Sequence, residues 1–153
     1  MKKLFIILFL TNIMWACNNQ EAAQNKEVVK ANETEHQKDL TEKLELNNGV
    51  KWKADSITNK NVKSLKAIVG NYNNAPGKGL PATRQVAIEL QQGLDRMISE
   101  CKMQGPDHTA LHKWLEPLLA QVSKLKQVST ETEAAQTMEA IQAQLNLYDQ
   151  YFA

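Results

Sequence analysis

The residues best suited to chemistry in this chain are gathered in one short stretch, "ECKMQGPDHTALH", which runs from Glu100 to His112. The stretch contains one of the two cysteines and one of the five methionines, together with two histidines. Thiolate, thioether and imidazole groups are the ligands that soft and borderline metal ions prefer, whereas Ca(II) and Mg(II) prefer oxygen. The stretch is therefore a candidate site for Cu(I) first and Zn(II) second.

A helix hairpin would bring these ligands together. Cys101 ends the apolar stripe of one predicted helix and His108 begins the stripe of the next, with a Gly-Pro pair breaking the chain between them. Because short connections place consecutive helices antiparallel, we expect Cys101 and His108 at the same level of the molecule. His112 follows His108 by four residues, so their Cβ atoms should be about 5–6 Å apart on one helix face.

Two methionines complete the predicted ligand set. Met97 lies one turn before Cys101 on the same stripe, whereas Met103 comes where the helix is expected to end, so the direction of its side chain is open. The predicted metal ligands are Cys101, His108, His112, Met103 and Met97. A purely structural role for the sulfur residues stays open as well, because methionine on an apolar stripe usually fills the core and free cysteine is commonly buried.

The first residues of the chain have the build of a secretory signal. Two lysines precede an apolar run from Leu4 to Trp15, which is shorter than the roughly 20 residues of a permanent membrane span. Ala16 and Cys17 follow the run, and a cysteine in this place resembles the lipobox of bacterial lipoproteins. That resemblance implies removal of residues 1–16 and lipidation of Cys17, with an ordinary signal or an uncleaved anchor as the alternatives.

The composition of the mature chain indicates two regions and a net charge close to zero. Residues 17–48 are rich in Asn, Gln, Glu and Lys, which predicts a lipidated flexible tether, and residues 49–153 form the predicted helical domain. Loss of two lysines with the signal leaves 16 basic against 17 acidic residues, a net charge of about −1. No concentrated basic face for nucleic acid is expected. In an oxidising envelope compartment, Cys101 would have no second thiol in the chain to pair with.

Four apolar stripes with spacings of three and four predict the helices that position the candidate ligands. We expect an all-α, up-down-up-down four-helix bundle. Predicted N-caps are Asp55 or Ser56 for the first helix and Asp107 for the third, with a capping box of Thr130 and Glu133 on the fourth. The stripes are Val62, Leu65, Val69 and Tyr72; Ala87, Leu90, Leu94, Met97 and Cys101; His108, Leu111, Leu115, Leu118, Val122 and Leu125; and Ala134, Met138, Ile141, Leu145, Tyr148 and Phe152.

From Glu100 to Leu115, and again around "LNNGVKWKAD", the chain resembles a family of small helical envelope lipoproteins of Gram-negative bacteria. Its members share a segment of the form E-C-x-M-x-G-x-x-H-x-x-L-H near a helix hairpin. The resemblance implies a bundle fold, an envelope location and a task for the clustered residues, although no activity of the family is established.

Three functions are compatible with these residues. The first is an envelope lipoprotein that binds copper or zinc at the hairpin for sequestration or relay. The second is a metal-free helical module that docks on another envelope protein, and the third is a bundle that binds haem without covalent attachment. The chain is not predicted to be an enzyme, because it has no activated nucleophile, phosphate-binding loop or paired catalytic carboxylates.

Overall fold

The computed structural model describes residues 43–153, which form four helices and no strands. The helices are α1 (Ser56–Asn74), α2 (Leu80–Glu100), α3 (Gly105–Leu125) and α4 (Glu131–Tyr151). Each helix packs against its neighbours in sequence, and α1 also packs against α4, which closes the bundle. The predicted four-helix bundle is confirmed. The predicted signal, Cys17 and the tether up to residue 42 lie outside the described residues.

No helix within residues 43–153 is both long enough and apolar enough to cross a membrane. The buried apolar residues of the four helices instead form one core cluster.

The predicted stripes fill the core. Their apolar members are buried, apart from Tyr72 and Cys101, which are half-buried. Trp114 of α3 is fully buried although it lies off the predicted stripe. Its indole Nε1 donates to the carbonyl oxygen of Gln144 at 2.8 Å, and the Gln144 amide donates back to the Trp114 carbonyl at 2.7 Å. Trp114 therefore joins α3 to α4 by both packing and hydrogen bonds.

Two of the predicted helix caps are present and one is wrong. The Asp55 carboxylate accepts the Thr58 N–H at 2.6 Å at the start of α1, and Thr130 forms the predicted capping box of α4. Asp107, however, is not the N-cap of α3, because the helix already begins at Gly105, after the Gln104 N-cap. The Asp107 carboxylate accepts a backbone N–H from another part of the chain instead.

An extended stretch of residues 43–54, here called the entry segment, packs beside the helices. It turns back at Asn48 and Gly49, whose φ angles of 52° and 86° suit a tight hairpin turn. The Trp52 N–H then donates to the carbonyl oxygen of Tyr151 at 2.8 Å, and the Ala153 N–H donates to the Trp52 carbonyl at 3.0 Å. Residues 43–48, which were predicted as part of the tether, are thus in contact with the domain, and Leu44 packs against its core.

Candidate metal centre

The entry segment and the start of α1 hold the α2–α3 connection at two points. The Lys102 N–H donates to Oδ2 of Asp55 at 3.2 Å, and the Lys53 N–H donates to Oδ1 of Asp107 at 2.9 Å. These bonds lie directly after Cys101 and directly before His108. Both ends of the α2–α3 connection are therefore hydrogen-bonded to the same short stretch of chain, residues 53–55.

Hydrogen bonding stabilises the charged form of the Asp55 carboxyl in this arrangement. Partial burial acts to raise its pKa, but bonds from Thr58 and from the Lys102 backbone outweigh this effect and leave the pKa below its ordinary value of 3.8. A carboxylate at this position caps α1 and ties the α2–α3 connection at the same time.

A pocket of about 250 Å³ lies between α2 and α3. Four of the five predicted metal ligands line it, namely Met97, Cys101, His108 and His112. The rest of the lining is mostly leucine and isoleucine. The predicted hairpin thus brings these four side chains to one cavity.

The two imidazoles are the most closely paired groups in this pocket. Nε2 of His108 and Nε2 of His112 are 3.2 Å apart, and the ring centroids are 4.5 Å apart with the planes at 88°. In the metal-free protein this distance allows one ring to donate an N–H to the other. Two nitrogens bound to one tetrahedral zinc at about 2.0–2.1 Å would lie about 3.3–3.4 Å apart. The observed separation is close to that of two ligands of one ion.

The sulfur atoms approach the pocket from α2. Met97 is only 1% exposed and belongs to the core while also lining the pocket. Cys101 is the C-cap residue of α2 with an extended backbone, and its Sγ accepts a long hydrogen bond of 4.0 Å from the Thr58 hydroxyl on α1. Burial raises the pKa of the Tyr148 hydroxyl above its usual range, and the negative charges of Asp55 and Asp149 add to the shift. Cys101 therefore lines the pocket while its Sγ contacts α1.

These ligands do not form a ready-made cluster. Among residues 43–153, no three His, Cys, Asp or Glu side chains are close enough together to hold one metal ion. Only the pair of histidines has the spacing of joint ligands, and Cys101 would have to turn from Thr58 toward the rings to join them.

Met103 and Glu116 differ from the predicted set. Met103 does not line the pocket, and its half-buried side chain packs against the core instead. Glu116, which was not predicted, lines the pocket one turn after His112. The spacing of four residues from His108 to His112 to Glu116 is the signal in the sequence that could have identified it.

Comparison of this chain with models of protein families, with curated proteins and with solved structures finds no match. The resemblance to small helical envelope lipoproteins therefore stays a prediction from the residues quoted above.

Proposed function

We propose that this protein is a lipid-anchored protein of the cell envelope that binds a soft or borderline metal ion, Cu(I) or Zn(II), for sequestration or relay. The observation that carries the proposal is the 3.2 Å separation of the His108 and His112 Nε2 atoms at a pocket also lined by a thiol and a thioether. Two imidazoles with this spacing form a chelating pair before any metal arrives.

Metal binding at the pair requires a change of tautomer in one of the two imidazoles. In the hydrogen-bonded pair, one Nε2 carries the proton and the other accepts it. A metal ion needs a lone pair from both nitrogens, so binding requires that proton to move to Nδ1 of the same ring, which stays neutral. The two nitrogen atoms are already at nearly the distance that a shared ion imposes, so binding requires mainly that the rings rotate until both lone pairs point at the ion.

The sulfur ligands decide which metal is favoured. Rotation of the Cys101 side chain away from Thr58 would bring its Sγ into the pocket as a third ligand, and Met97 offers a fourth donor from the core side. A set with thiolate and thioether favours Cu(I) over Zn(II), because Cu(I) is the softer ion. The carboxylate of Glu116, at the open side, is a harder ligand that would suit Zn(II).

The proposed location follows from the predicted lipoprotein signal at the start of the chain. A lipid on Cys17 would hold the domain at a membrane surface and would leave Cys101 as the one free thiol of the mature chain. The environment at that surface is oxidising. A metal ligand has to stay reduced in that environment, and coordination itself protects a thiolate. The half-buried position of Cys101 limits its exposure to oxidants before metal binds.

Titration of the chain from Asn18 onward with Zn(II), and with Cu(I) under anaerobic conditions against a competing chelator, tests this function. We expect the double variant His108→Ala/His112→Ala to lose at least 100-fold in affinity for both ions. Cys101→Ala should weaken Cu(I) binding more than Zn(II) binding, since sulfur matters more to Cu(I).

Met103→Leu is the matched control, because Met103 is a sulfur residue two positions from Cys101 that does not line the pocket. It should leave both affinities unchanged. Equal affinity of the wild type and the double histidine variant, with circular dichroism showing both folded, would refute metal binding at this pocket. The metal-free interaction module would then be the remaining proposal.

A further inference from the structure

The turn of the entry segment exposes apolar side chains beside positive charge. Leu46 is 41% exposed and Val50 is 61% exposed, and they flank the turn formed by Asn48 and Gly49. The backbone pairing of Asn47 with Val50, with bonds of 2.9 and 3.1 Å, holds the turn in shape. Because these apolar side chains do not contribute to the core, they are available as a contact surface.

The charge of the entry segment differs from that of the mature chain. It contains three lysines and one glutamate, a net charge of +2, whereas the predicted mature chain carries about −1. The Lys51 ammonium donates to the carbonyl oxygen of Asp149 at 2.6 Å, while Lys43 and Lys53 are exposed. The segment that carries the two exposed apolar residues is therefore itself positively charged, and the Asp107 carboxylate lies against its Lys53 end.

The position of the entry segment in the chain points to a membrane. Only 25 residues separate Cys17 from Lys43. A chain of that length reaches no further than about 90 Å even when fully extended. With a lipid on Cys17, which is part of the proposed function, the entry segment is the first part of the described domain after the anchor.

We propose that the turn of the entry segment is a membrane-contact site, at which Leu46 and Val50 enter the boundary between headgroups and acyl chains. Lys43 and Lys53 lie against anionic phospholipid headgroups. Each lysine held near an anionic surface strengthens binding about fivefold. Such a contact would add a second signal to the lipid on Cys17 and fix the orientation of the bundle at the bilayer.

Co-sedimentation with vesicles of phosphatidylcholine alone, or of phosphatidylcholine with phosphatidylglycerol, tests the proposal. The protein is the chain from Asn18 onward, which contains every residue of the described core, from Leu44 to Phe152. Because this chain has no lipid and needs no metal, the outcome is independent of both parts of the proposed function.

We expect at least tenfold stronger binding to the anionic vesicles, and at least a tenfold loss in the variant Leu46→Ser/Val50→Ser. Ile88→Ser is the control, because Ile88 is similarly exposed, at 47%, but lies on α2. It should bind like the wild type.

Three results would overturn the proposal: absence of wild-type binding to anionic vesicles, undiminished binding by the double variant, or equal loss in the control. A dimer in analytical ultracentrifugation that the double variant abolishes, without vesicle binding, would assign the turn to contact between two copies instead.

Discussion

Replacement of Gly93 by alanine tests the close packing of α1 against α2. A methyl group at Gly93 would lie 2.7 Å from Cδ2 of Leu65 and 3.7 Å from Cδ1 of Ile68. Leu65 is fully buried and cannot swing into solvent, so the neighbouring side chains must shift. Overpacking of this kind lowers the free energy of unfolding by about 1–3 kcal/mol. Alanine also gains about 0.8–1 kcal/mol over glycine in a helix, which leaves a net loss of about 0–2 kcal/mol.

Gly70→Ala is the matched control. Gly70 lies within α1, and a methyl group there would have no atom within 4 Å, so only the gain in helix propensity of about 1 kcal/mol remains. The difference between the two variants isolates the steric contact and should be about 1–3 kcal/mol in urea unfolding followed by far-ultraviolet circular dichroism. Equal stabilisation by the two substitutions would refute the close approach of α1 and α2 at Gly93.

Three further substitutions probe other parts of the fold. Trp114→Ala should lower the free energy of unfolding by about 3–5 kcal/mol in the same assay, because a fully buried indole is lost; a loss below about 1 kcal/mol would contradict its central position. Thr130→Ala should cost about 1 kcal/mol through loss of the capping box, with no effect if that box does not form. Because its folded-state pKa is below 3.8, the Asp55 carboxylate stabilises the fold above that pH and ceases to do so as the pH falls below it. In Asp55→Asn, the free energy of unfolding should therefore fall less steeply as the pH drops below 3.8. The same pH dependence in the variant and the wild type would contradict this.

The bundle could be predicted because its signals are local. Apolar residues at spacings of three and four, Asp55 before α1 and the Thr130 capping box each act within one or two turns of helix. Trp114 was missed because it lies off the stripe and is buried only through its contacts with α4. The role of Asp107 was missed for a similar reason: its partner, the backbone of Lys53, is distant in sequence.

The candidate site could be predicted only in part. The spacing of His108 and His112 gives their shared face directly, and the hairpin places Cys101 at the same pocket. The direction of each side chain is not local information. The end of α2 at Glu100 sets the orientation of Cys101 toward Thr58 and turns Met103 away from the pocket.

The identity of the ligands around a bound ion tests the central claim most directly. X-ray absorption spectroscopy of the Zn(II)-loaded protein should show scattering typical of two imidazoles, with nitrogen at about 2.0–2.1 Å, and one sulfur at about 2.3 Å. The sulfur should disappear in Cys101→Ala while the imidazole signal stays. A spectrum with only oxygen ligands, or one unchanged by the double variant His108→Ala/His112→Ala, would contradict a metal centre at this hairpin.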